Sequence, residues 1–440
     1  MRLAFVITIL FASACGEVLD STVTVTRTGA GSGTITASDG QSCSETTCVL
    51  TFPQSSTVAF TATEDTGSEF AGWTGACGRV GPCTLQLDDD VTFGAEFTLQ
   101  QIGLTVAKTG SGIATITSTP AGIDCGTTCT ASFDHGTMVT LTATAPAGTT
   151  FIGWSGGGCS GTGTCETMMS EATMVTADLG CESGSKTFEV TNTIEELALP
   201  ACVRSVTIDA YGAQGGRAGG LGARAQGTFA LSGATTLYVV VGDVGGTNSN
   251  NTNGGGGGGS FVYTNEHTNF PLIAAGGGGG RATLGGCTPG NGSATTATTT
   301  SSGGAGNANG GSPGFGGAGG AMTGTPGLPG TGGGGAGFRS AGIAGTVDSR
   351  GGGGQAPRGG ATGGAAGNQG AAGGFGGGGG SAGLDGAGGG GGGYSGGGGG
   401  HGWNNSAGGC CGGGGSFNAG ADQINAAGVR TGAGQVIISW

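Results

Sequence analysis

Runs of glycine constrain the fold of this chain more than any other feature. Eight runs of four to six consecutive glycines lie between residues 254 and 415, and 113 of the 440 residues are glycine. Glycine loses more backbone freedom on folding than any other residue, so an isolated run is expected to stay disordered. The runs therefore predict one of two states: a low-complexity tail, or a packing in which bare backbones hydrogen-bond to each other.

Strand patterns on both sides of the glycine runs favour the packed state. Short segments rich in Val, Ile, Thr and aromatic residues are typical of strands, and the chain ends on such a segment. They lie at residues 186–191, 203–211, 225–231, 236–242, 260–263, 271–275 and 435–440. We therefore predict a β-sandwich over residues 181–440, with a glycine-rich insertion at about residues 242–432.

The insertion needs a backbone that only glycine permits. An extended left-handed helix with three residues per turn has no internal hydrogen bonds and directs its backbone groups outward. Glycine helices of this kind (polyglycine II) lie close enough to satisfy one another's N–H and C=O groups. Aromatic interruptions are expected at bends or on the rim of the bundle, namely at Phe315, Phe338, Phe375, Tyr394 and Trp403.

The start of the chain has the pattern of an export signal. A basic residue and an apolar run occupy residues 2–11, and small residues at 12–14 precede Cys15. The run is too short to span a bilayer, so residues 1–14 are predicted to be a signal peptide. A cysteine after small residues resembles a bacterial lipobox. The resemblance implies a diacylglycerol anchor at Cys15, a lipidated tether over residues 15–21 and the membrane as a partner; plain secretion is the alternative.

Thirteen further cysteines follow Cys15, and disulfide bonds persist in exported proteins. The candidates are Cys43, Cys48, Cys77, Cys83, Cys125, Cys129, Cys159, Cys165, Cys181, Cys202, Cys287, Cys410 and Cys411. The first eight form two groups of four, each with three possible connectivities, of which the nearest-neighbour pairing is one. Cys181 and Cys202 flank a predicted strand and are expected to pair, whereas the last three are odd in number. The spacings within the groups suit zinc poorly, so no metal or other cofactor is predicted.

Residues 22–99 are repeated as residues 103–179, and Trp73 corresponds to Trp154. Alternating apolar and polar residues predict a small all-β module of about five short strands in each copy. A GW[ST]G motif followed by a cysteine loop occurs in both copies and resembles the divergent internalin-type B-repeat family of bacterial surface proteins. The resemblance implies a small β-grasp-like extracellular spacer without catalytic residues. Both tryptophans are expected to pack on a disulfide rather than to stack on a sugar.

Residues 186–440 resemble a second known family, and the resemblance rests on the stretches 210–216, 237–242 and 254–281. They resemble the glycine-rich ectodomain of the anaplastic lymphoma kinase and leukocyte tyrosine kinase receptors, and bacterial glycine-rich domains of the same pattern. This implies a tumour-necrosis-factor-like β-sandwich with polyglycine II helices as an insertion. The receptors' cytokine-binding role is not carried over, because their contact residues are not matched here.

The net charge and the sequence motifs limit the functions that are possible for this chain. The net charge of −13, with Lys108 and Lys186 as the two lysines, argues against nucleic acid as a partner. Ser312 lies in a G-x-S-x-G match, but the strand and helix of a nucleophile elbow are not predicted around it. The chain is therefore expected not to be an enzyme.

The sequence thus predicts a lipid-anchored, non-catalytic surface protein that acts in adhesion, scaffolding or protein binding. A carbohydrate- or peptide-binding module is the first alternative, with Tyr211, Tyr238 and Trp403 as stacking aromatics. An unrecognised hydrolase is the second. The ligand, protein or glycan, is not identified by any motif.

Overall fold

The computed structural model describes residues 19–440 except 79–80, 127, 268, 283–287, 298–307, 321–329, 347–349, 384–385, 401–408 and 410. These residues form strands and extended segments, with one turn of 3-10 helix at Pro357–Gly359. The predicted all-β class is confirmed. No helix in this part of the chain is long and apolar enough to cross a membrane. Two compact units are present, Met1–Pro146 with Thr150–Gly180, and Ala147–Thr149 with Cys181–Trp440.

The first repeated module is built from two four-stranded sheets. Its described strands are β1 (Asp20–Thr28), β2 (Gly33–Ala37), β3 (Ser42–Cys43), β4 (Thr47–Pro53), β5 (Ser56–Glu64), β6 (Ser68–Gly75), β7 (Cys83–Leu87) and β8 (Val91–Leu99). The sheet orders are β4-β1-β8-β6 and β3-β2-β5-β7. Every second side chain is buried along β1 and β5, so that Val23 and Val25 of one sheet share a core with Val58 and Phe60 of the other.

The second module repeats this arrangement. Its described strands are β9 (Gln101–Gly110), β10 (Thr115–Thr119), β11 (Thr130–Asp134), β12 (Met138–Thr144), β13 (Thr149–Ser155), β14 (Cys165–Met168) and β15 (Thr173–Cys181). The sheet orders are β11-β9-β15-β13 and β10-β12-β14. Both modules have more strands than the about five predicted, because strands of two to five residues rich in Gly and Thr show little alternation.

The two tryptophans have the same buried environment in both modules. Trp73 and Trp154 are 3 % and 4 % exposed, and each belongs to its module's core together with disulfide-bonded cysteines. Their indole N–H groups donate to the carbonyls of Gly81 at 2.9 Å and Gly163 at 2.7 Å. The predicted packing role of the tryptophans is confirmed.

Five disulfide bonds join cysteines that are nearest in sequence. They are Cys43–Cys48, Cys77–Cys83, Cys125–Cys129, Cys159–Cys165 and Cys181–Cys202. The nearest-neighbour connectivity is therefore the one adopted in both modules. Cys411 is a free, buried thiol. Cys15, Cys287 and Cys410 lie outside the described residues.

The second unit contains the predicted sandwich. Its strands are β16 (Ser185–Phe188), β17 (Glu195–Ala198), β18 (Ser205–Tyr211), β19 (Gly222–Ala230), β20 (Thr236–Val240), β21 (Ser260–Tyr263), β22 (Ile273–Ala275), β23 (Phe417–Asn418), β24 (Ala421–Arg430) and β25 (Gln435–Ser439). One sheet has the order β16-β25-β18-β19-β24 and the other β17-β20-β21-β22-β23. The final strand, β25, lies between β16 and β18, so the strand pattern predicted at residues 435–440 forms part of this sheet.

The sheet that contains β20 is buried on both faces. Leu237 and Val239 face the other sheet in the sandwich core, whereas Val240, Phe261 and Tyr263 belong to a second apolar cluster. Burial on both faces explains why β20 reads as a continuous apolar run. The second cluster is completed by Phe338, Ala361, Phe375 and Tyr394, which come from the glycine-rich segments.

The described aromatic interruptions of the glycine-rich segments are found at bends, as expected. Phe338, Phe375 and Tyr394 lie at bends or turns of the backbone, but they are 1 %, 8 % and 3 % exposed and pack against the sheet and not on a rim. Burial of large aromatic side chains stabilises the contact between sheet and glycine-rich segments. Phe315 remains at the surface, 42 % exposed, and Trp403 lies outside the described residues.

The described parts of residues 242–259 and 276–416, here called the glycine block, pack backbone against backbone. Within residues 254–259 every amide donates a hydrogen bond of 2.8–2.9 Å to a neighbouring segment. Residues three apart donate to the same neighbour: Gly254 and Gly257 to Arg281 and Gly278, Gly255 and Gly258 to Gly246 and Asp243, and Gly256 and Gly259 to Gly379 and Gly376. Each segment thus presents three hydrogen-bonding faces.

The same three-residue step recurs in residues 388–393. Gly389 and Gly392 donate to Gly254 and Gly257, and Gly390 and Gly393 donate to Gly333 and Ala336. None of residues 254–259 or 388–393 has a positive φ. A hydrogen-bonding period of three without internal bonds is the property of an extended three-residue helix.

Candidate binding site

Three aromatic rings from distant parts of the second unit form a stack, here called the aromatic stack, on Phe270, Tyr394 and Phe417. The ring centroids of Tyr394 and Phe417 are 4.7 Å apart, and those of Phe270 and Phe417 are 5.9 Å apart. The rings are nearly parallel, with interplanar angles of 24–29°. Phe270 is 48 % exposed, whereas Tyr394 is 3 % exposed, so the stack leads from the interior to the surface.

The backbone around the aromatic stack is fixed by strand and glycine-block hydrogen bonds. Phe417 lies on β23, opposite Ala274 of β22. The amide of Tyr394 donates to the carbonyl of Gly415 at 2.7 Å, and its carbonyl accepts from the amide of Phe338 at 3.0 Å. Phe270 precedes Pro271 in the loop that enters β22, where an extended backbone is favoured. These hydrogen bonds fix the backbone of Tyr394 and Phe417, on which the Phe270 ring stacks.

A cation and a further exposed ring adjoin the aromatic stack. The guanidinium carbon of Arg339 lies 4.9 Å from the centroid of the Phe315 ring. The Arg339 amide donates to the carbonyl of Gly314 at 2.7 Å, and the carbonyl of Phe315 accepts from Gly396, two residues beyond Tyr394. Burial raises the pKa of the Tyr394 phenol, an effect that the charge of Arg339 partly opposes. The surface therefore combines apolar rings and one cation, whereas the Tyr394 phenol is buried.

The structure gives Tyr211 a different environment from the one predicted. Its hydroxyl donates to Asp209 at 3.0 Å, and the Asp209 carboxylate also accepts two hydrogen bonds from Arg224, at 2.8 and 2.9 Å. The guanidinium carbons of Arg224 and Arg430 lie 5.6 and 5.5 Å from the ring centroid of Tyr211. Burial, followed by the hydrogen bond to Asp209, raises the pKa of Tyr211. The ring is half-buried and already in contact with charged side chains.

Tyr238 is not found at an open surface either. Tyr238 stacks on Tyr263, with centroids 5.6 Å apart, and its hydroxyl accepts from Asn265 at 2.9 Å. Trp403 lies outside the described residues. We therefore place the candidate site at the aromatic stack, which sequence reasoning missed. Its one usable signal is the position of Phe417, two residues after the glycine run at 412–415.

Ser312 lies in a turn of the glycine block, where its carbonyl accepts from the amide of Phe315 at 2.8 Å. No α-helix is found within the described residues, and the one turn of 3-10 helix, Pro357–Gly359, is distant from it in sequence. The sharp strand-to-helix turn that exposes a serine nucleophile is therefore not formed around it in this part of the chain.

Comparison with known proteins bears on the first unit. Residues 23–101 and 104–179 each match the divergent InlB B-repeat domain. These ranges coincide with the two repeated modules, so the B-repeat resemblance is confirmed for them. No curated protein matches the chain. The resemblance of residues 186–440 to the receptor ectodomains is not among these findings and stays a prediction.

Among solved structures, the Bacillus anthracis TIE protein matches with 11 % sequence identity and a TM-score of 0.29. The match covers 50 % of this chain and 44 % of that protein, so this chain spans less than half its length. The two B-repeat modules and their disulfide bonds indicate an extracellular protein of the surface or adhesion type.

Proposed function

We propose that this chain is a non-catalytic cell-surface protein that acts in adhesion, surface scaffolding or protein binding. Two B-repeat modules serve as spacers, and the glycine-rich second unit carries the binding surface. The observation that carries this proposal is the aromatic stack, because a half-exposed ring on a rigid base resembles the anchors that dominate protein interfaces. The adjoining Arg339 supplies a charged group of the kind enriched in such interfaces.

The glycine block is proposed to be a bundle of polyglycine II helices. The three-residue hydrogen-bonding period of residues 254–259 and 388–393 supports this assignment. Such a bundle has few side chains to rearrange, so it would present the aromatic stack with little loss of conformational entropy on binding. The glycine block thus contributes to function by keeping the binding surface rigid in the free protein.

The anchor is proposed to be a lipid on Cys15, which would place the protein at the outer membrane or cell surface. We expect cells expressing the full chain to incorporate a fatty-acid probe into it, and Cys15→Ala to abolish this labelling. Cys287→Ser is the matched control and should label like the wild type. Labelling that survives in Cys15→Ala would contradict the anchor and leave secretion as the alternative.

Binding is tested on an array of purified extracellular proteins and glycans, with the chain from residue 15 onward as the probe. We expect Phe270→Ala to weaken the captured interaction about thirtyfold, the loss of ~2 kcal/mol that defines an interface hot spot. Because the Phe270 side chain is about half exposed, its removal should leave the fold intact. Affinities are measured by surface plasmon resonance on the proteins or glycans captured.

Val429→Ala is the matched control, since Val429 is 50 % exposed and lies on β24 of the other sheet. It should bind like the wild type. Equal affinity of Phe270→Ala and wild type would exclude the aromatic stack as the binding surface.

A neutral glycan is the second candidate ligand. The near-parallel arrangement of the aromatic stack leaves about half of Phe270 exposed at its outer end, where the C–H face of a sugar ring packs well. Capture of glycans but not proteins on the array, again lost in Phe270→Ala, would favour this alternative over protein binding.

A further inference from the structure

One pair of facing residues on an exposed sheet face differs in chemical character between the two B-repeat modules. In the first module Thr57 of β5 is opposite Gln86 of β7, and the threonine hydroxyl donates to the glutamine carbonyl at 2.6 Å. In the second module the equivalent strands β12 and β14 place Met138 opposite Met168. The first module thus has a polar, hydrogen-bonded pair at the position where the second module has two thioether side chains.

Both methionine side chains are at the surface. Met138 is 47 % exposed and Met168 is 57 % exposed, whereas the next residue, Met169, is completely buried in the core. The exposed pair lines a cavity of about 620 Å³ together with Glu166 and Glu171. Strand alternation explains the division, because neighbouring residues of a strand point to opposite faces.

This surface is too small and too polar for stable protein docking. A specific interface needs about 800 Å² from each partner, and here two thioether side chains are flanked by two carboxylates. The same combination suits a soft cation. Thioether sulfur selects copper(I) among the biological metals, and nearby carboxylates favour any cation electrostatically.

The geometry of facing strand residues brings the two sulfurs within reach of one ion. Directly opposed residues of antiparallel strands have Cβ atoms roughly 5 Å apart, and the unbranched methionine side chain adapts its length and direction through three rotatable bonds. We propose that Met138 and Met168 bind a soft monovalent cation, copper(I) or its analogue silver(I), with Glu166 and Glu171 offsetting its charge. The first module, with Thr57 and Gln86, does not bind it.

The site is tested with silver(I), which is stable in air, on the full chain labelled with ¹³C at the methionine methyl groups. The chain has six methionines, so each methyl resonance is resolved and assigned by single substitution. We expect the Met138 and Met168 resonances to shift together on silver addition, while Met169 and Met174 do not. Methyl resonances report on the thioethers directly, whether or not a thiol such as Cys411 also takes up silver.

The double variant Met138→Thr, Met168→Gln installs the pair that the first module already accommodates, and we expect it to weaken silver binding at this site by about tenfold or more. Met174→Thr is the control, because Met174 is 60 % exposed and its counterpart in the first module is Thr92. It should leave the shifts of Met138 and Met168 unchanged. Calcium, which prefers oxygen ligands, should shift neither resonance.

Three outcomes would overturn the proposal. The first is a lack of response of Met138 and Met168 to several equivalents of silver(I). The second is an equal shift of Met174, which would show indiscriminate thioether binding. The third is undiminished silver binding in the double variant, measured by isothermal titration calorimetry with Cys15, Cys287, Cys410 and Cys411 replaced by serine both in it and in the reference protein.

Discussion

Replacing Gly256 by alanine is expected to destabilise the second unit by about 3 kcal/mol or more and to release the amides of the glycine block to solvent. A Cβ atom at this position would lie 2.0 Å from the carbonyl oxygen of Gly390 and 2.4 Å from its carbonyl carbon. Both atoms belong to a packed backbone segment, which cannot move aside as a flexible side chain can. Hydrogen exchange of residues 254–259 and the thermal midpoint of the second unit measure the effect.

Gly359→Ala is the matched control in the same block. A Cβ atom there would meet only the side-chain oxygen of Gln355, at 3.7 Å, and Gly359 is exposed. It should change the free energy of unfolding by less than about 0.5 kcal/mol. In the wild type the amides of residues 254–259 should exchange slowly, because all six donate hydrogen bonds within buried segments. Exchange as fast as in a free peptide, with no effect of Gly256→Ala, would show that the glycine block is not packed.

The strands and the cysteine pairs were predictable because their signals are local. The alternation in residues 57–62 records which side chains of β5 enter the core, and it needs no knowledge of the partner strand. Likewise the continuous apolar run of β20 follows from burial on both faces. Cysteines four to six residues apart have little choice but to pair locally when a compact module holds two such pairs.

The pairing of the glycine segments could not be predicted, since every run carries the same residue. Gly257 donates to Gly278 and accepts from Gly392, yet no side chain distinguishes these partners from any other glycine. The positions of the two ends of each glycine segment determine which neighbouring segment it hydrogen-bonds to. The strands β20 to β23 and the buried rings of Phe338, Phe375 and Tyr394 fix where the segments enter and leave the block.

The aromatic stack escaped prediction for a related reason. Phe270, Tyr394 and Phe417 come together through the order of β22 and β23 in the sheet and through the bond from Tyr394 to Gly415. Exposure of an aromatic residue is a property of the tertiary structure, so Tyr211 and Tyr238 looked equally suitable in the sequence. Both are instead engaged by Asp209 and Tyr263.

Raising the pH from 8 to 11 is expected to destabilise the second unit by about 2.5 kcal/mol more in the wild type than in Cys411→Ala. The Cys411 thiol is completely buried, and burial raises its pKa from 9.0 to about 12, although the hydrogen bond from the Gly400 amide partly opposes this. In the unfolded chain the Cys411 thiol ionises above pH 9, whereas in the folded chain it stays protonated. The stabilisation is therefore complete below pH 9 and is lost as the pH rises towards 12.

Urea titrations of the free energy of unfolding at pH 8, 9, 10 and 11 measure this difference. Cys411→Ser is the control for packing, because serine differs from cysteine by one atom and does not ionise in this range. It should lose the same pH dependence as Cys411→Ala, even where the two variants differ in stability at pH 8. Tyrosines with raised pKa values contribute equally to all three proteins and cancel in the comparison. Parallel pH profiles for wild type and both variants would mean that solvent reaches Cys411, and the glycine block could not then be the closed packing that presents the aromatic stack.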